Sequence, residues 1–355
     1  MEAALQSTAP IFAKEVSMSA GTMLAGRLNI ETKEFALQEV PVPEPGPGFV
    51  RVKVGAAGVC LSDVHLIQGL LRPQFLRGSE VTLGHEVAGT VDLPGPGVTS
   101  AKPGDRVVIQ AGYEYNGTTL TMGVDYDGGW AEFVVVPAGV LVPLGDDIPF
   151  DQASIIPDAV STPWGAISST ADVRAGEAVG VWGIGGLGAH GVQLLRLVGA
   201  APIIAVDPIA EARARALEFG ADYALDPMAE DFSDAMKAAT AGKGLDVALD
   251  FAGVDAVRAQ AINCLGRHGR LVLVGLSGTP ITIADSTGFS YARKQILGHY
   301  GSEAHHVPQL VNLTRLGRLD FAKSISGRIP LSEAAEAVKA LDAKEGNPIR
   351  LVLIP

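Results

Sequence analysis

In the first half of the chain, apolar residues come in short runs broken by glycine and proline. Residues 26–54 read as strands around a turn: EFALQEV, then PVPEPGPG at residues 41–48, then FVRVKV. Alternation over residues 49–54 puts Val50, Val52 and Val54 on one face of a strand. Pro41, Pro43, Pro45 and Pro47 exclude a helix, because proline lacks the N–H and clashes with the preceding turn. The runs VVIQ, GGWAEFVVVP and VLVPL continue the pattern, so residues 55–145 read as an irregular β-rich region. Residues 1 to about 20 carry no clear pattern and read as an extension, with Met18 and Met23 as alternative starts.

Near residue 160 the pattern changes. VGVW (179–182), IIAV (203–206), LDVALDF (245–251) and RLVLVGL (270–276) are strand-length apolar runs. Helix-length periodic segments separate them: one from GIGGLG to Val198, one ending near Phe219 and Gly220, one through Cys264. Apolar strands alternating with helices of this length predict a parallel sheet with crossover helices. Further helices are expected over residues 306–316 and 332–341, and a last strand at IRLVLIP. No repeat of 20–50 residues is present.

Composition narrows the class. At roughly 150 residues per domain, 355 residues imply two domains. With 47% hydrophobic and 19% charged residues the chain is globular, not disordered. The net charge of −12 repels phosphate backbones and anionic membrane surfaces, so neither nucleic acid nor membrane is an expected partner. No apolar run reaches the roughly 18 residues of a membrane span. No basic flank precedes an apolar stretch near Glu2, so a cytoplasmic protein is expected. Two cysteines can build neither a disulfide framework nor a four-cysteine zinc site, and fit a reducing compartment.

Gly183, Ile184, Gly185, Gly186, Leu187 and Gly188 follow a predicted strand and open a predicted helix. Glycines there permit a tight turn and let backbone N–H groups approach a pyrophosphate, with the helix dipole favouring the anion. Asp207 lies at the end of the next strand, where a carboxylate accepts hydrogen bonds from ribose hydroxyls. It would repel the extra phosphate of NADP, so NAD is favoured. The alternative is a glycine turn chosen for packing, with Asp207 an ordinary strand-end acid. Arg213 and Arg215 are read as a solvated helix face.

Cys60 and His85 are two candidate metal ligands. Singly, each reads as a buried thiol or a core histidine. The order C-x-S-D-x-H (from Cys60), GHE with following glycines (from Gly84), PGDRV, GGWAEFVVVP and GIGGLG resembles the zinc-dependent alcohol dehydrogenases of the medium-chain dehydrogenase/reductase family. The resemblance runs from about residue 24 to the C-terminus. It implies an α/β protein with an irregular β-rich, GroES-like catalytic domain and a Rossmann cofactor domain with a doubly wound parallel sheet. The expected boundaries are 1–160 and 298–355 for the first, and 161–297 for the second.

The same resemblance implies the site. Cys60 and His85 match the first two catalytic zinc ligands, and Asp158, in IPDAVST, stands where the third belongs. Glu86 matches the carboxylate that can approach the metal, and Asp63 the acid that orients the ligating imidazole. Ser62 and His65 match a proton relay; Thr162 falls near the nicotinamide and Arg350 at the pyrophosphate. The competing readings are Asp158 as a helix N-cap, Ser62 as a cap and His65 facing solvent. Residues 110–129, where relatives bind a second zinc, contain no cysteine, so one catalytic zinc and no structural zinc is expected. Cys264 reads as a core residue. Residues 69–80 are slightly longer than usual; Leu70, Leu71, Phe75, Leu76 and Trp164 suggest a partly apolar cleft, with Arg72 and Arg77 on a solvated loop. His190, His268, His299, His305 and His306 match no motif and read as structural or surface residues.

The implied reaction is hydride transfer between an alcohol, secondary or polyol favoured, and NAD, giving a ketone or aldehyde. The metal acts as Lewis acid. The rivals are a reductase of an activated C=C bond, NADP-dependent or zinc-free, and a cofactor-binding structural protein. The partner is a small-molecule alcohol or carbonyl compound, and a homodimer or homotetramer is expected.

Overall fold

The computed structural model describes residues 18–355, and for 18–20 only the backbone. It divides into two compact units: one holds residues up to Pro157 with Phe321–Glu345 and Arg350–Pro355, the other Asp158–Asp320 with Gly346–Ile349. Of the expected N-terminal extension, residues 1–17 lie outside the described residues, while Met18 already begins a strand.

The first unit opens with β1 (Met18–Asn29), β2 (Glu34–Pro43), β3 (Phe49–Val59) and α1 (Leu61–Gln68). Next come β4 (Glu80–Thr82), β5 (Val87–Pro94), β6 (Arg106–Ile109), β7 (Gly112–Tyr115) and β8 (Thr118–Thr121). β9 (Phe133–Pro137), β10 (Leu141–Pro143) and α2 (Phe150–Ser154) complete this stretch. Val50, Val52 and Val54 are all buried on one face of β3, as the alternation requires. They join Val91, Ile109, Trp130 and Val136 in one apolar cluster.

Pro41 and Pro43 sit inside β2 rather than in the expected turn. β2 is the edge of the three-stranded sheet β2-β1-β4, and an edge strand tolerates a residue with no N–H to donate. Residues 110–129 form a hairpin of β7 and β8 turned at Asn116 and Gly117, both at positive φ (49° and 78°), the pair a tight hairpin turn demands. Met122 and Tyr126, just beyond it, are buried, so apolar packing fills a segment that has no thiol. α1 enters the sequence reading only through the alternative of Ser62 as a helix cap, because eight residues are too few to display a period.

The second unit contains α3 (Ser161–Gly165), β11 (Val179–Trp182), α4 (Gly188–Val198), β12 (Ile203–Val206), α5 (Ala210–Glu218) and β13 (Tyr223–Leu225). It continues with α6 (Phe232–Ala239), β14 (Leu245–Asp250), α7 (Asp255–Cys264), β15 (Leu265–Leu273), α8 (Ser286–Tyr291), β16 (Gln295–Gly298) and α9 (His306–Arg315). Six parallel strands run in the order β13-β12-β11-β14-β15-β16. The order reverses direction at β11, which puts the glycine loop at the topological switch point, where open α/β sheets bind ligands. Every residue of β11 and β12 is buried, as expected for strands covered on both faces.

The chain then returns to the first unit as β17 (Ile325–Pro330), α10 (Ala334–Asp342) and β18 (Arg350–Ile354). β18 lies between β3 and β17 in the seven-stranded sheet. The second unit extends to Asp320, past the expected boundary at 297. The reason is local: β16 is its sixth strand, and α9 is tied to α3 by a Trp164 Nε1–H bond to Gln309 Oε1 (3.1 Å). Among the described residues no helix is long and apolar enough to cross a membrane.

Candidate metal and cofactor sites

In the first unit, Cys60 directly follows β3 and caps the N-terminus of α1. Its N–H donates to Asp63 Oδ2 (2.9 Å), and the N–H of Asp63 donates back to the Cys60 carbonyl (3.1 Å). The other Asp63 oxygen lies 3.5 Å from His85 Nδ1. One fully buried carboxylate thus fixes the Cys60 backbone and faces the His85 ring. With Nδ1 turned to Asp63, Nε2 is the ring nitrogen left for a metal. A thiol, an imidazole and a carboxylate, from Cys60, His85 and Glu86, have ligand atoms within 4.8 Å of one another. All three are buried. That donor set and spacing fit a zinc ion.

Glu86 is held from behind. Its carbonyl accepts the Gly58 N–H (2.8 Å), and its Oε1 lies 3.1 Å from Arg350 Nη2. A Cβ on Gly58 would stand 1.9 Å from Glu86 Oε2, so only glycine admits the carboxylate here. Arg350 was expected at a pyrophosphate; its charged partner in the structure is Glu86. Ser62 and His65 lie one turn apart on α1, both half-buried. Cys60 Sγ lies 3.6 Å from Ser62 Oγ. The cap of α1 is Cys60, so Ser62 is not its capping residue. In the 69–80 loop Leu71 and Leu76 pack on the first-unit core, whereas Leu70 and Phe75 are exposed.

In the second unit, Asp158 follows directly on Pro157, the last residue of the first. It sits inside a π-helical turn, Ile156–Val160, and the residue capping α3 is Val160. The N-cap reading of Asp158 therefore fails. Its Oδ1 accepts the Thr162 hydroxyl at 2.7 Å.

The glycine loop joins β11 to α4. Gly183 has φ +86°, and a Cβ on Gly188 would meet the Gly183 carbonyl at 1.9 Å, so both positions require glycine. A Cβ on Gly185 would meet nothing within 4 Å, which leaves that side of the loop open to a pyrophosphate. Asp207 is buried at the end of β12, with Oδ2 accepting the Ile184 N–H and Oδ1 the Ile209 N–H, each at 2.8 Å. It is therefore more than a strand-end acid: it pins the loop. Each carboxylate oxygen retains a lone pair for a ribose hydroxyl.

Two second-unit residues, Arg213 and Arg215, were misjudged from sequence. Arg213 and Arg215 are not a solvated face. Arg213 donates to the carbonyls of Asp207 (2.8 Å) and Pro208 (2.9 Å) and pairs with Asp226 (3.2 Å). Arg215 donates to the carbonyls of Ile184 and Asn347. His190 is buried and donates from Nδ1 to the Gly186 carbonyl (2.6 Å). This is the structural role that the sequence reading allowed for it, and surface exposure is the half of that reading that does not hold. Cys264 is partly buried against the second-unit core, and burial pushes its thiol up to about 11.

Comparison with known proteins agrees with both halves. The alcohol dehydrogenase GroES-like domain family matches residues 46–146, and the zinc-binding dehydrogenase family residues 186–315. An NDMA-dependent alcohol dehydrogenase of Amycolatopsis methanolica is 31% identical over 93% of this chain and 98% of its own. The 2R,3R-butanediol dehydrogenase of Bacillus subtilis superposes with TM-score 0.85 at 27% identity, over 94% of this chain and 99% of that one. A Sinorhizobium meliloti 1021 protein assigned as a zinc-binding dehydrogenase and solved with NADP superposes with TM-score 0.86 at 26% identity, over 94% and 100%. A paired GroES-like and Rossmann architecture, a thiol–imidazole–carboxylate cluster and a glycine loop pinned by an acid thus meet full-length relatives of one kind: the chain belongs to the zinc-type alcohol dehydrogenases of the medium-chain dehydrogenase/reductase family, and interconverts alcohols and carbonyl compounds with a nicotinamide cofactor.

Proposed function

We propose that this protein is a one-zinc, NAD-dependent dehydrogenase of secondary alcohols or polyols. The zinc ligands are Cys60, His85 and Asp158, with Glu86 as an alternative carboxylate. The observation that carries this reading is the buried cluster of Cys60, His85 and Glu86, organised by Asp63. When bound, zinc supplies Lewis acidity at the substrate oxygen, and NAD the hydride acceptor.

The chain's own residues do the rest. Oxidation of the alcohol releases one proton besides the hydride. Ser62 Oγ takes it while giving up its own hydroxyl proton, and the half-buried His65 imidazole hands that proton to water. Asp63 holds His85 in the tautomer that ligates. The loop Gly183–Gly188 cradles the pyrophosphate, Thr162 lies at the nicotinamide, and Arg350 is assigned to Glu86. For the nucleotide, Asp207 favours the ribose hydroxyls of NAD. Arg213 and Arg215, being engaged with carbonyls and Asp226, offer little to a 2′-phosphate. The NADP-bound Sinorhizobium structure keeps NADP as the second reading.

The butanediol dehydrogenase likeness supports a secondary-alcohol substrate. We assign a cytoplasmic location and a homodimer or homotetramer. A panel of primary alcohols, secondary alcohols, diols and aldehydes, run with NAD, NADP and NDMA, tests the reading. Highest kcat/KM for a secondary alcohol or diol with NAD supports it. Turnover confined to NADP or to C=C substrates overturns it.

A further inference from the structure

We propose that Thr162 is a positioning residue for Asp158: its hydroxyl holds Oδ1, so that the carboxylate meets the zinc through its other oxygen. The inference rests on the reading of Asp158 as a zinc ligand.

Thr162 lies four residues after Asp158, on the first turn of α3, and is buried. A serine or threonine inside a helix ordinarily donates to the backbone carbonyl four residues back. Ser168, Thr240 and Thr314 all do so, to the carbonyls of Trp164, Met236 and Leu310 at 2.7, 2.9 and 2.8 Å. Thr162 instead donates to the side-chain carboxylate four residues back, at the short distance typical of an O–H bond to an anion. Asp158 lies in one π-helical turn, and Ser168 lies in a second, Ala166–Thr170, yet still bonds the backbone, so the side-chain acceptor is particular to Thr162.

The donor is itself anchored. The Thr162 carbonyl accepts from His299 Nε2 (3.0 Å), and a carbonyl can only accept, so Nε2 carries the ring proton. His299 Nδ1 also lies 2.8 Å from the Thr170 hydroxyl. His299 thus anchors the Thr162 backbone, while the Thr162 hydroxyl holds Asp158. An aspartate can bind a metal through one oxygen or both. A hydroxyl bonded to Oδ1 disfavours chelation by both and fixes the carboxylate plane. Single-oxygen ligation suits a four-coordinate catalytic zinc that must keep one position for substrate.

The test is zinc affinity, read by competition with a chromophoric chelator in the absence of nicotinamide cofactor, so that any contact of Thr162 with the nicotinamide does not enter. Thr162→Val, which keeps the shape and deletes the hydroxyl, should weaken zinc binding about 10- to 100-fold. Thr162→Ser, which restores the hydroxyl, should stay within about 3-fold of wild type by the same reasoning. Should the valine variant not fold, Thr162→Ala repeats the deletion. Wild-type affinity without the hydroxyl, or equal loss in the serine and valine variants, overturns the positioning role. Asp158→Ala, run alongside, separates the two layers. Weakened zinc there with no effect of Thr162→Val sinks this inference alone, whereas unchanged zinc in Asp158→Ala removes the ligand assignment and the inference with it.

Discussion

The Glu86–Arg350 pair offers the sharpest energetic test of the first unit. Both side chains are buried, at 0% and 3% exposure, 3.1 Å apart. Arg350→Met keeps an unbranched stem and removes the cation facing a carboxylate that has no solvent. Breaking a buried pair from one side costs about 3–5 kcal/mol. Unfolding entropy near 2.1 cal/mol/K per residue gives roughly 0.4 kcal/mol/K for a unit of about 190 residues, so Tm should fall by about 8–12 °C. If the whole chain unfolds as one transition, the same energy lowers Tm by about 4–7 °C. Calorimetry on chelator-treated protein is the assay, so that no metal cation substitutes for the guanidinium. The double variant Glu86→Gln, Arg350→Met removes both charges and should recover at least half the loss. A Tm within about 2 °C of wild type for Arg350→Met, which is under 1 kcal/mol on this scale, or no recovery in the double variant, would refute the reasoning.

Two further outcomes follow from the second unit. Asp207→Gly deletes the acceptor of two backbone N–H bonds, each worth about 1.5–3 kcal/mol to a charged partner. It should weaken NAD binding by about 10- to 100-fold and raise the NADP/NAD ratio of kcat/KM; a wild type that already prefers NADP contradicts the role of the acid. Burial, the largest cause, lowers the pKa of His299 and His306. As pH falls through 6.5 the unfolded chain takes up these protons and the folded one does not, so stability should drop by up to about 1.4 kcal/mol per pH unit for each. The drop ends once pH passes below their folded values. Denaturant unfolding at pH 7.5 and 5.5 should show a shallower loss in His299→Gln, His306→Gln, and an unchanged slope would assign the acid lability elsewhere.

Much of this is legible in the sequence. Strand and helix periods located β11, β12, β14, α4 and α9 to within a residue or two, because buried parallel strands and amphipathic helices write their packing into the sequence. The glycine loop and Asp207 were legible because close backbone approach admits few residue types. What escaped depends on contacts between distant positions. Nothing near Arg350 signals Glu86, 264 positions away, and nothing in Arg213 or Arg215 says that they fold back on carbonyls. Pro41 and Pro43 misled because edge position is a property of the sheet, not of the strand. The domain boundary moved because α9 docks on α3 through single side-chain bonds that carry no periodic signal.

The central claim is hydride transfer at a single zinc held by Cys60, His85 and Asp158. Zinc content and turnover, followed in one sample through chelation and zinc readdition, test it most directly. The account predicts one zinc per chain, lost together with activity and restored together with it. Full turnover in protein that holds no zinc would contradict it.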